Sequence, residues 1–123
     1  MKKMLTAVVI DTQKNTIDVR EVKDDIHEFY EVLNCDIFDI ARRKIGGKPY
    51  DILCDDMGRY IEKPVVSAVN PFFLQDYLVG NLMIVNHKGE DLTSLTPTDI
   101  ARIYAHIGKY TDGDAERIAV MIG

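Results

Sequence analysis

The distribution of apolar residues predicts that the chain opens with a β-hairpin. Leu5–Ile10 is a nearly continuous apolar run rich in valine and isoleucine, which is typical of a strand buried on both faces. Turn residues follow, and Thr16–Val22 then alternates between apolar and polar positions, as a half-exposed strand does. The two segments are close enough in sequence to pair with each other.

A helical pattern follows this hairpin. Asp25 is a suitable N-cap, Glu28 stands three residues later as in a capping box, and Asn34 is a suitable stop. Apolar side chains recur between them at the spacing of one helix face. This stripe consists of Ile26, Phe29, Tyr30 and Leu33.

A second helix is predicted near the end of the sequence. Thr96, Pro97 and Asp99 occupy the N-cap, N1 and N3 positions of a strong start signal. Gly108 is its expected stop. The predicted apolar stripe consists of Ile100, Ile103, Tyr104 and Ile107.

The remaining apolar runs predict further strands separated by polar turns. Pro64 disfavours a central strand through 61–69, and Asn70-Pro71 begins a short helix or turn over Phe72–Tyr77 that closes near Gly80. Asn86–Asp91 is expected to be a polar loop. The predicted strands are Cys35–Ala41, Tyr50–Cys54, Leu82–Val85 and, with strand favoured over a helical turn, Ala115–Ile122.

This order of elements predicts an α+β fold. We expect an antiparallel or mixed sheet of about five or six strands with two main helices packed on it, in a single domain over residues 1–123. Strict alternation of strand and helix, which would indicate a doubly wound sheet, is absent from the pattern.

Composition narrows the class of protein. The chain has 123 residues, 46% hydrophobic and 28% charged, which is ordinary for a globular domain. The formal net charge of −5 argues against a general phosphate-backbone binder, so nucleic acid is not an expected partner. The two cysteines, Cys35 and Cys54, are read as free thiols. With no apolar stretch of transmembrane length, these features favour the cytoplasm.

A metal-ligand spacing on the first predicted helix has a simpler explanation. His27 and Glu31 are four residues apart and share a helix face, as zinc ligands do. The second histidine of that motif is missing, and both residues lie away from the apolar stripe. A solvated helix face is the favoured interpretation.

A basic group surrounds the Gly46-Gly47 turn. Four cations at a hairpin tip could contact phosphates, but an ordinary solvated tip is favoured in an acidic chain. The group consists of Arg42, Arg43, Lys44 and Lys48.

The aspartates and Cys54 offer weaker candidate chemistry. Asp51, Asp55 and Asp56 could be paired carboxylates or a magnesium site, but turn chemistry explains Asp55 and Asp56. Cys54 could be a nucleophile assisted by His87 or His106, although a cysteine in a strand is more often a small buried residue. No phosphate-binding glycine loop, G-x-S-x-G or paired C-x-x-C motif occurs. We therefore assign no catalytic, cofactor-binding or metal-binding residue.

The aromatic segment at Phe72, Phe73 and Tyr77 has two interpretations. Two adjacent phenylalanines on a short element do not easily both face the core, so one of them could mark a partner or dimer surface. The favoured interpretation is that the segment folds over the sheet and buries both phenylalanines. The exposure of these side chains distinguishes the two.

Five segments of the chain have a recognisable pattern: Ala7–Asp11, Ile17–Val22, Ile52–Gly58, Asp76–Asn86 and Asp91–Thr96. Together they resemble a family of short uncharacterised proteins, a domain of unknown function carried by phages, plasmids and conjugative elements of Firmicutes and related gut bacteria. The resemblance covers roughly residues 5–107 and departs at 63–74 and after Ile107. It implies no catalytic residues and only a setting, that of a mobile-element accessory protein.

The function expected from these observations is non-enzymatic binding to a host or element protein. By analogy with small phage proteins that cover a partner surface, one form of this function is inhibition of host defence. The alternative is a small enzyme or nucleotide-binding protein with an unrecognised site, in which Cys54, Asp55 or His87 would converge in a pocket. The identity of the partner and the oligomeric state, including self-association, stay open.

Overall fold

The described residues, 3–57 and 63–123 of the computed structural model, form two β-sheets and two helices. The α+β class expected from the sequence is confirmed, but the described residues are mostly strand and form a six-stranded and a four-stranded sheet instead of one sheet of five or six strands. The strands are β1 (Met4–Asp11), β2 (Thr16–Lys23), β3 (Phe38–Ile45), β4 (Lys48–Asp55), β5 (Val66–Val69), β6 (Tyr77–Val79), β7 (Leu82–Lys88), β8 (Asp91–Thr93), β9 (Ile107–Asp112) and β10 (Ala115–Met121). The helices are α1 (Ile26–Leu33) and α2 (Pro97–Ala105).

The first sheet is antiparallel and has β7 at its centre. Its order is β2-β1-β7-β4-β3, and β8 pairs with the far end of β7. Ile84 on β7 lies opposite Val8 on one side and Ile52 on the other. This position explains why Leu82–Val85 is apolar without alternation, since both faces of the strand are covered.

The second sheet is mixed and places the last described strand in its interior. Its order is β6-β5-β10-β9, and β10 runs parallel to β5 with Val120 opposite Ala68. The other two pairs of this sheet are antiparallel. The strand predicted at Ala115–Ile122 is thus confirmed.

The first sheet buries both of its faces. One face packs against α1 through Phe29 and Leu33. The other face packs against α2 through Ile103 and against the second sheet through Ala68 and Val120. The layers are therefore α1, the first sheet, and then α2 together with the second sheet.

The first helix begins and ends where the sequence predicts. The Asp25 carboxylate accepts a hydrogen bond from the backbone N–H of His27, and Asn34 ends the helix in the left-handed conformation at φ 51°. The predicted stripe is wrong at its first position, because Ile26 is 48% exposed. Only Phe29 and Leu33 of this short helix are buried in the core beside the sheet.

The second helix begins as predicted but ends early. Thr96 and Asp99 form a reciprocal capping box, with Pro97 in the first turn. The helix ends at Ala105 rather than at Gly108, because Ile107 and Gly108 pair with β10 as the first residues of β9. Tyr104, predicted on the apolar stripe, is 40% exposed.

Two other loop predictions are corrected in part. The polar loop predicted at Asn86–Asp91 is mostly strand, because β7 and β8 form a tight hairpin around Gly89 and Glu90. The irregular segment after Pro64 contains the short strand β5, which starts two residues beyond the proline. Gly58 and the first two residues of the predicted segment 61–69 lie outside the described residues. No helix within the described ranges is both long and apolar enough to cross a bilayer.

Substitution of the turn between β3 and β4 tests the packing of α2 against it. A Cβ on Gly46 (φ +59°) would come within 2.8 Å of the Arg102 and His106 side chains, whereas one on Gly47 (φ +87°) would meet no atom within 4 Å. We expect Gly47→Ala to cost about 1 kcal/mol of unfolding free energy, for the left-handed backbone alone. Gly46→Ala should cost about 1–3 kcal/mol more, for the added crowding. Urea denaturation of both variants measures the difference, and equal costs would contradict the close approach.

Candidate functional site

The most unusual surface feature is an exposed apolar loop between β5 and β6, formed by Pro71, Phe72, Phe73 and Leu74. Phe72 is 91% exposed, Phe73 57% and Leu74 79%. Full burial of one such side chain is worth about 1.5–3 kcal/mol, and monomers rarely expose large apolar groups together. The apolar loop therefore has the character of a contact surface.

Local hydrogen bonds hold the apolar loop in this exposed position. The Asn70 side-chain oxygen accepts from the backbone N–H groups of Phe72 (2.9 Å) and Phe73 (3.2 Å). The loop is closed by the Asn70 N–H, which donates to the Asp76 carbonyl at 3.1 Å. The Arg43 Nε atom donates to the Asp76 carboxylate at 2.9 Å and ties the loop to β3. The loop is thus braced at its base and free of the core at its tip.

These contacts decide between the two sequence interpretations of the aromatic segment. Burial of Phe72 and Phe73 under the segment is wrong, because the Asn70 turn directs the backbone outward before the two phenylalanines. Of the short helix or turn predicted from Phe72 onward, the turn is confirmed. Tyr77 is half-buried and begins β6 instead of continuing the turn.

A buried carboxylate, that of Asp99, joins α2 to the first sheet. Asp99 is 1% exposed, and its Oδ1 accepts hydrogen bonds from Lys48 Nζ at 2.6 Å, Tyr50 Oη at 2.7 Å and Arg102 Nη1 at 3.2 Å. Its Oδ2 accepts from Asn86 Nδ2 at 2.6 Å, as well as from both the backbone and the hydroxyl group of the N-cap residue. Six donors saturate this carboxylate, so its role is structural.

The environment of Asp99 favours its ionised form. Burial is the largest single influence on its pKa and raises it, but hydrogen bonds from Lys48, from the Thr96 backbone and from Tyr50 together outweigh burial. The pKa of Asp99 is therefore well below its ordinary value. Burial and the hydrogen bond to Asp99 raise the pKa of Tyr50, so its phenol keeps its proton.

The basic group lies on strands rather than at a solvated tip. The turn between β3 and β4 contains only Gly46 and Gly47, so Arg42, Arg43 and Lys44 belong to β3. Arg42 Nε donates to Asp51 at 2.9 Å, Arg43 to Asp76, and Lys48 to Asp99. Most of the positive charge is therefore matched by carboxylates, which was not predicted from the sequence.

Cys54 and the turn aspartates line a cleft at the opposite end of β4. The cleft has a volume of about 250 Å³ and is bordered by Asp39, Arg43, Asp55 and Asp56. Burial, together with Asp39, Asp56 and Asp55, raises the pKa of the Cys54 thiol to about 11. Cys54 is 6% exposed, so its predicted role as a small buried residue is confirmed.

The histidines do not join Cys54. His87 lies on the opposite face of the first sheet, 3.6 Å from the buried Asp51 carboxylate. His106 lies near Gly46 at the other end of β4, about 20 Å along the strand from Cys54 at the usual rise per residue. Of the three residues named in the enzyme alternative, Cys54 and Asp55 therefore line one cleft, and His87 lies apart from them.

The remaining candidates stay apart. His27 and Glu31 are exposed on α1, so the solvated helix face is confirmed. Asp55 accepts the Met57 N–H in a turn, and Asp51, four residues earlier, binds Arg42 instead. Among residues 3–57 and 63–123, no three His, Cys, Asp or Glu residues are grouped closely enough to hold a metal ion.

Sequence reasoning missed two features of this region. Leu74 completes the apolar loop, and the run Pro-Phe-Phe-Leu was a visible signal for it. Arg102 packs its side chain against the Gly46 turn and donates to Tyr50, but no local motif links these distant positions.

One comparison with known proteins gives a match. A family model described as a domain of unknown function, DUF3846, matches residues 3–108. No curated protein and no solved structure matches the chain significantly.

Replacement of Asp99 should change both stability and its dependence on pH. Because the folded-state pKa is lowered, the ionised carboxylate stabilises the fold above the unfolded pKa of about 4, and this contribution is lost as pH falls further. We expect Asp99→Asn to lower the free energy of unfolding at pH 7 by about 3 kcal/mol. Below a pH of about 5, the free energy of unfolding should fall less steeply with decreasing pH in the variant than in the wild type. Urea unfolding at several pH values measures both, and the exposed Asp114→Asn is the control. An equally steep loss of unfolding free energy at low pH in the variant and the wild type would contradict the role of Asp99.

The Cys54 thiol should react slowly with alkylating agents. With a pKa raised to about 11, only a small fraction is thiolate at neutral pH. We expect the alkylation rate of the native Cys35→Ser variant, in which Cys54 is the remaining cysteine, to keep rising with pH above pH of about 9. Mass spectrometry after iodoacetamide pulses measures the rate, with the urea-unfolded chain as control. A rate plateau reached below pH of about 8 would indicate an activated thiolate instead.

Proposed function

Because the chain belongs to DUF3846, a family whose description names no reaction, we propose that it is a non-enzymatic protein-binding module of a mobile element. The observation that carries the binding role is the exposure of Phe72, Phe73 and Leu74 on a braced loop. The setting in a phage, plasmid or conjugative element of Firmicutes rests on the sequence resemblance alone, and the cytoplasm as its place of action rests on the composition of the sequence. Modulation of host defence is one form of this function.

The exposed side chains of the loop are stabilised when a partner covers them. Association buries apolar area that folding of this chain leaves in water, and burial of each large side chain is favourable by about 1.5–3 kcal/mol. Asn70 and Asp76 already fix the loop backbone, so binding orders few additional torsions. Exposed aromatic anchors on a preorganised element are typical of residues that dominate interface energy.

The geometry supports binding better than catalysis. The cleft beside Asp55 and Asp56 contains a thiol that keeps its proton, and the buried carboxylate of Asp99 is saturated by structural contacts. The exposed apolar loop has no comparable structural role, since its side chains lie outside the core.

Removal of the loop side chains should abolish partner capture without affecting the fold. We expect the double variant Phe72→Ser/Leu74→Ser to lose the host proteins that the wild-type chain retains after cross-linking in a bacterial host lysate. Its midpoint of thermal unfolding should stay within about 2 °C of the wild type, because both side chains are exposed.

The matched control is Ile37→Ser, which also removes an exposed apolar side chain, 56% exposed, away from the loop. The control should retain the captured proteins. Quantitative mass spectrometry of the three samples decides the matter: identical capture by the wild type and the loop variant, or capture by neither, would contradict the proposed role of the loop.

A further inference from the structure

Strand β2 lies at one edge of the first sheet, and its outer side is open. All eight of its residues pair with β1, and no other strand in the described parts of the chain pairs with it. The Asp24 N–H donates to the Lys3 carbonyl, and antiparallel pairs alternate. The N–H and C=O groups of Ile17, Val19 and Glu21 therefore point away from β1, and they have no hydrogen-bond partner among the described residues. An open edge of this kind is a template for a further strand.

The strand at the opposite edge of this sheet, β3, has part of its edge already occupied. By the same alternation, its outward backbone groups belong to the even-numbered residues. The Ile40 N–H donates to the carboxylate of Asp39 at 2.9 Å. The Lys44 carbonyl accepts from the Gly123 N–H at 2.8 Å. A strand approaching β3 would have to displace these contacts, whereas a strand approaching β2 would not.

The edge strands of the second sheet are less suited to pairing with another chain. One of them, β6, has only three residues. In the other, β9, the His106 carbonyl accepts from the Met121 N–H, so the outward groups belong to Ile107, Lys109 and Thr111. Symmetric pairing of these three residues would set two copies of Lys109 opposite each other, and like charges in this position are destabilising.

The charge pattern of β2 is complementary to that of a second β2 running antiparallel to it. When Val19 lies opposite Val19 of the second copy, Asp18 faces Arg20 of that copy and Arg20 faces its Asp18. Ile17 and Glu21 then pair with each other across the contact, so all the outward backbone groups of both strands are bonded. The next possible registers set Asp18 opposite Asp18 or Arg20 opposite Arg20. Charge therefore selects the register centred on Val19.

The ion pair within each β2 strand is compatible with this contact. Asp18 and Arg20 are joined at 3.0 Å along the strand, with side chains 50% and 34% exposed. In the symmetric pair, the two ion pairs lie side by side and form a ring of four alternating charges. Neither pair has to break, and each charge gains a second neighbour of opposite sign.

Apolar side chains at the same edge are left in water by the single chain. Val19 is 43% exposed, and it lies on the α2 side of the sheet because Val8, opposite it, packs in the core with Ile103. Tyr104 of α2 is 40% exposed. Burial and the nearby Asp18 carboxylate raise the pKa of Tyr104, so its phenol lies close to this edge. Pairing about Val19 covers both valines, which is favourable in addition to the hydrogen bonds.

We propose that two copies of this chain associate through β2, in an antiparallel pair with its two-fold axis at Val19. The first sheet then continues from one protomer into the other, and the open edge is closed to other strands. This contact goes beyond the protein-binding function of the apolar loop and does not depend on it. The loop connects two strands of the second sheet, whereas β2 belongs to the first.

Sedimentation equilibrium of the full chain tests this proposal. We expect the average mass to rise from 14.0 kDa towards twice that value between concentrations of about 1 and 500 µM, as for a small interface. Asp18→Arg and Arg20→Asp each set like charges opposite each other at the two-fold axis. Each should raise the dissociation constant at least about tenfold. The double variant Asp18→Arg/Arg20→Asp restores opposite charges in the same register and should dimerise as the wild type does.

A proline in the edge tests the backbone contact. Val19→Pro removes the N–H at the two-fold axis and should abolish the dimer, while an edge strand tolerates the proline. The matched control is Ile40→Pro on the edge of β3, where the native side chain is also 43% exposed, and it should leave the dimer unchanged. Circular dichroism checks the fold of both variants, and the charge variants decide the matter if a proline variant does not fold.

Three results would each overturn the proposal. They are a monomer at all concentrations, a dimer that persists in the single charge variants, and a double variant that does not recover the dimer. Loss of the dimer in Phe72→Ser/Leu74→Ser would also overturn it, because the contact would then belong to the apolar loop. Lysate capture by the loop is measured separately, so failure of the dimer leaves the proposed binding function standing, and the reverse also holds.

Discussion

The carboxylate of Asp99 is the contact on which the arrangement of α2, the first sheet and the β3–β4 turn depends. It completes the capping box of the helix and also receives Lys48 and Tyr50 from β4 and Asn86 from β7. A buried charge is favourable only when its hydrogen-bonding capacity is filled. Donor groups from β4, β7 and α2 fill the capacity of this carboxylate. The position of α2 then fixes Arg102 and His106 against Gly46, and Gly46 and His106 line a small cleft next to Phe72.

The ion pairs around the β3–β4 turn have two effects, one on stability and one on the charge of the surface. Ion pairs with Asp76 and Asp99 hold the loop and the helix in place, and they also neutralise much of the basic group. What stays accessible beside these ion pairs is the set of apolar side chains of the loop.

Local signals in the sequence were sufficient for the starts of both helices and for the apolar strands β1 and β7, whereas the strand predicted at Cys35–Ala41 is displaced to Phe38–Ile45. The caps at Asp25 and Thr96 are determined within four residues, and the apolar runs of β1 and β7 reflect burial on both faces. The second sheet was not predictable in the same way, because its strands are short and gain their stability from partners far along the chain. Ile107 continues the helical spacing of α2, yet pairing with Val120 makes it part of a strand, so tertiary pairing overrode a local pattern.

The sequence identified the aromatic segment as unusual but did not determine whether its phenylalanines are buried or exposed. Composition favours burial of Phe72 and Phe73, but the Asn70 turn, closed by Asp76, controls where the backbone leads them. The partners of Asp99 are spread over residues 48–102, and no short motif connects them. The exposure of this segment and the small cleft beside it can be seen only in the folded structure.

The interior position of β10 has a consequence for how this chain folds during synthesis. The hairpins β1–β2 and β3–β4 pair neighbouring segments and can form early, whereas β5 must wait for Val120 and Met121, which emerge about fifty residues later. Until then, β5 and β6 form a two-stranded ribbon, which is marginal on its own in water. The apolar loop connects these two strands, so the sheet at its base is complete only once β10 has been synthesised. A nascent chain therefore does not hold the loop in its finished position before β10 has been made.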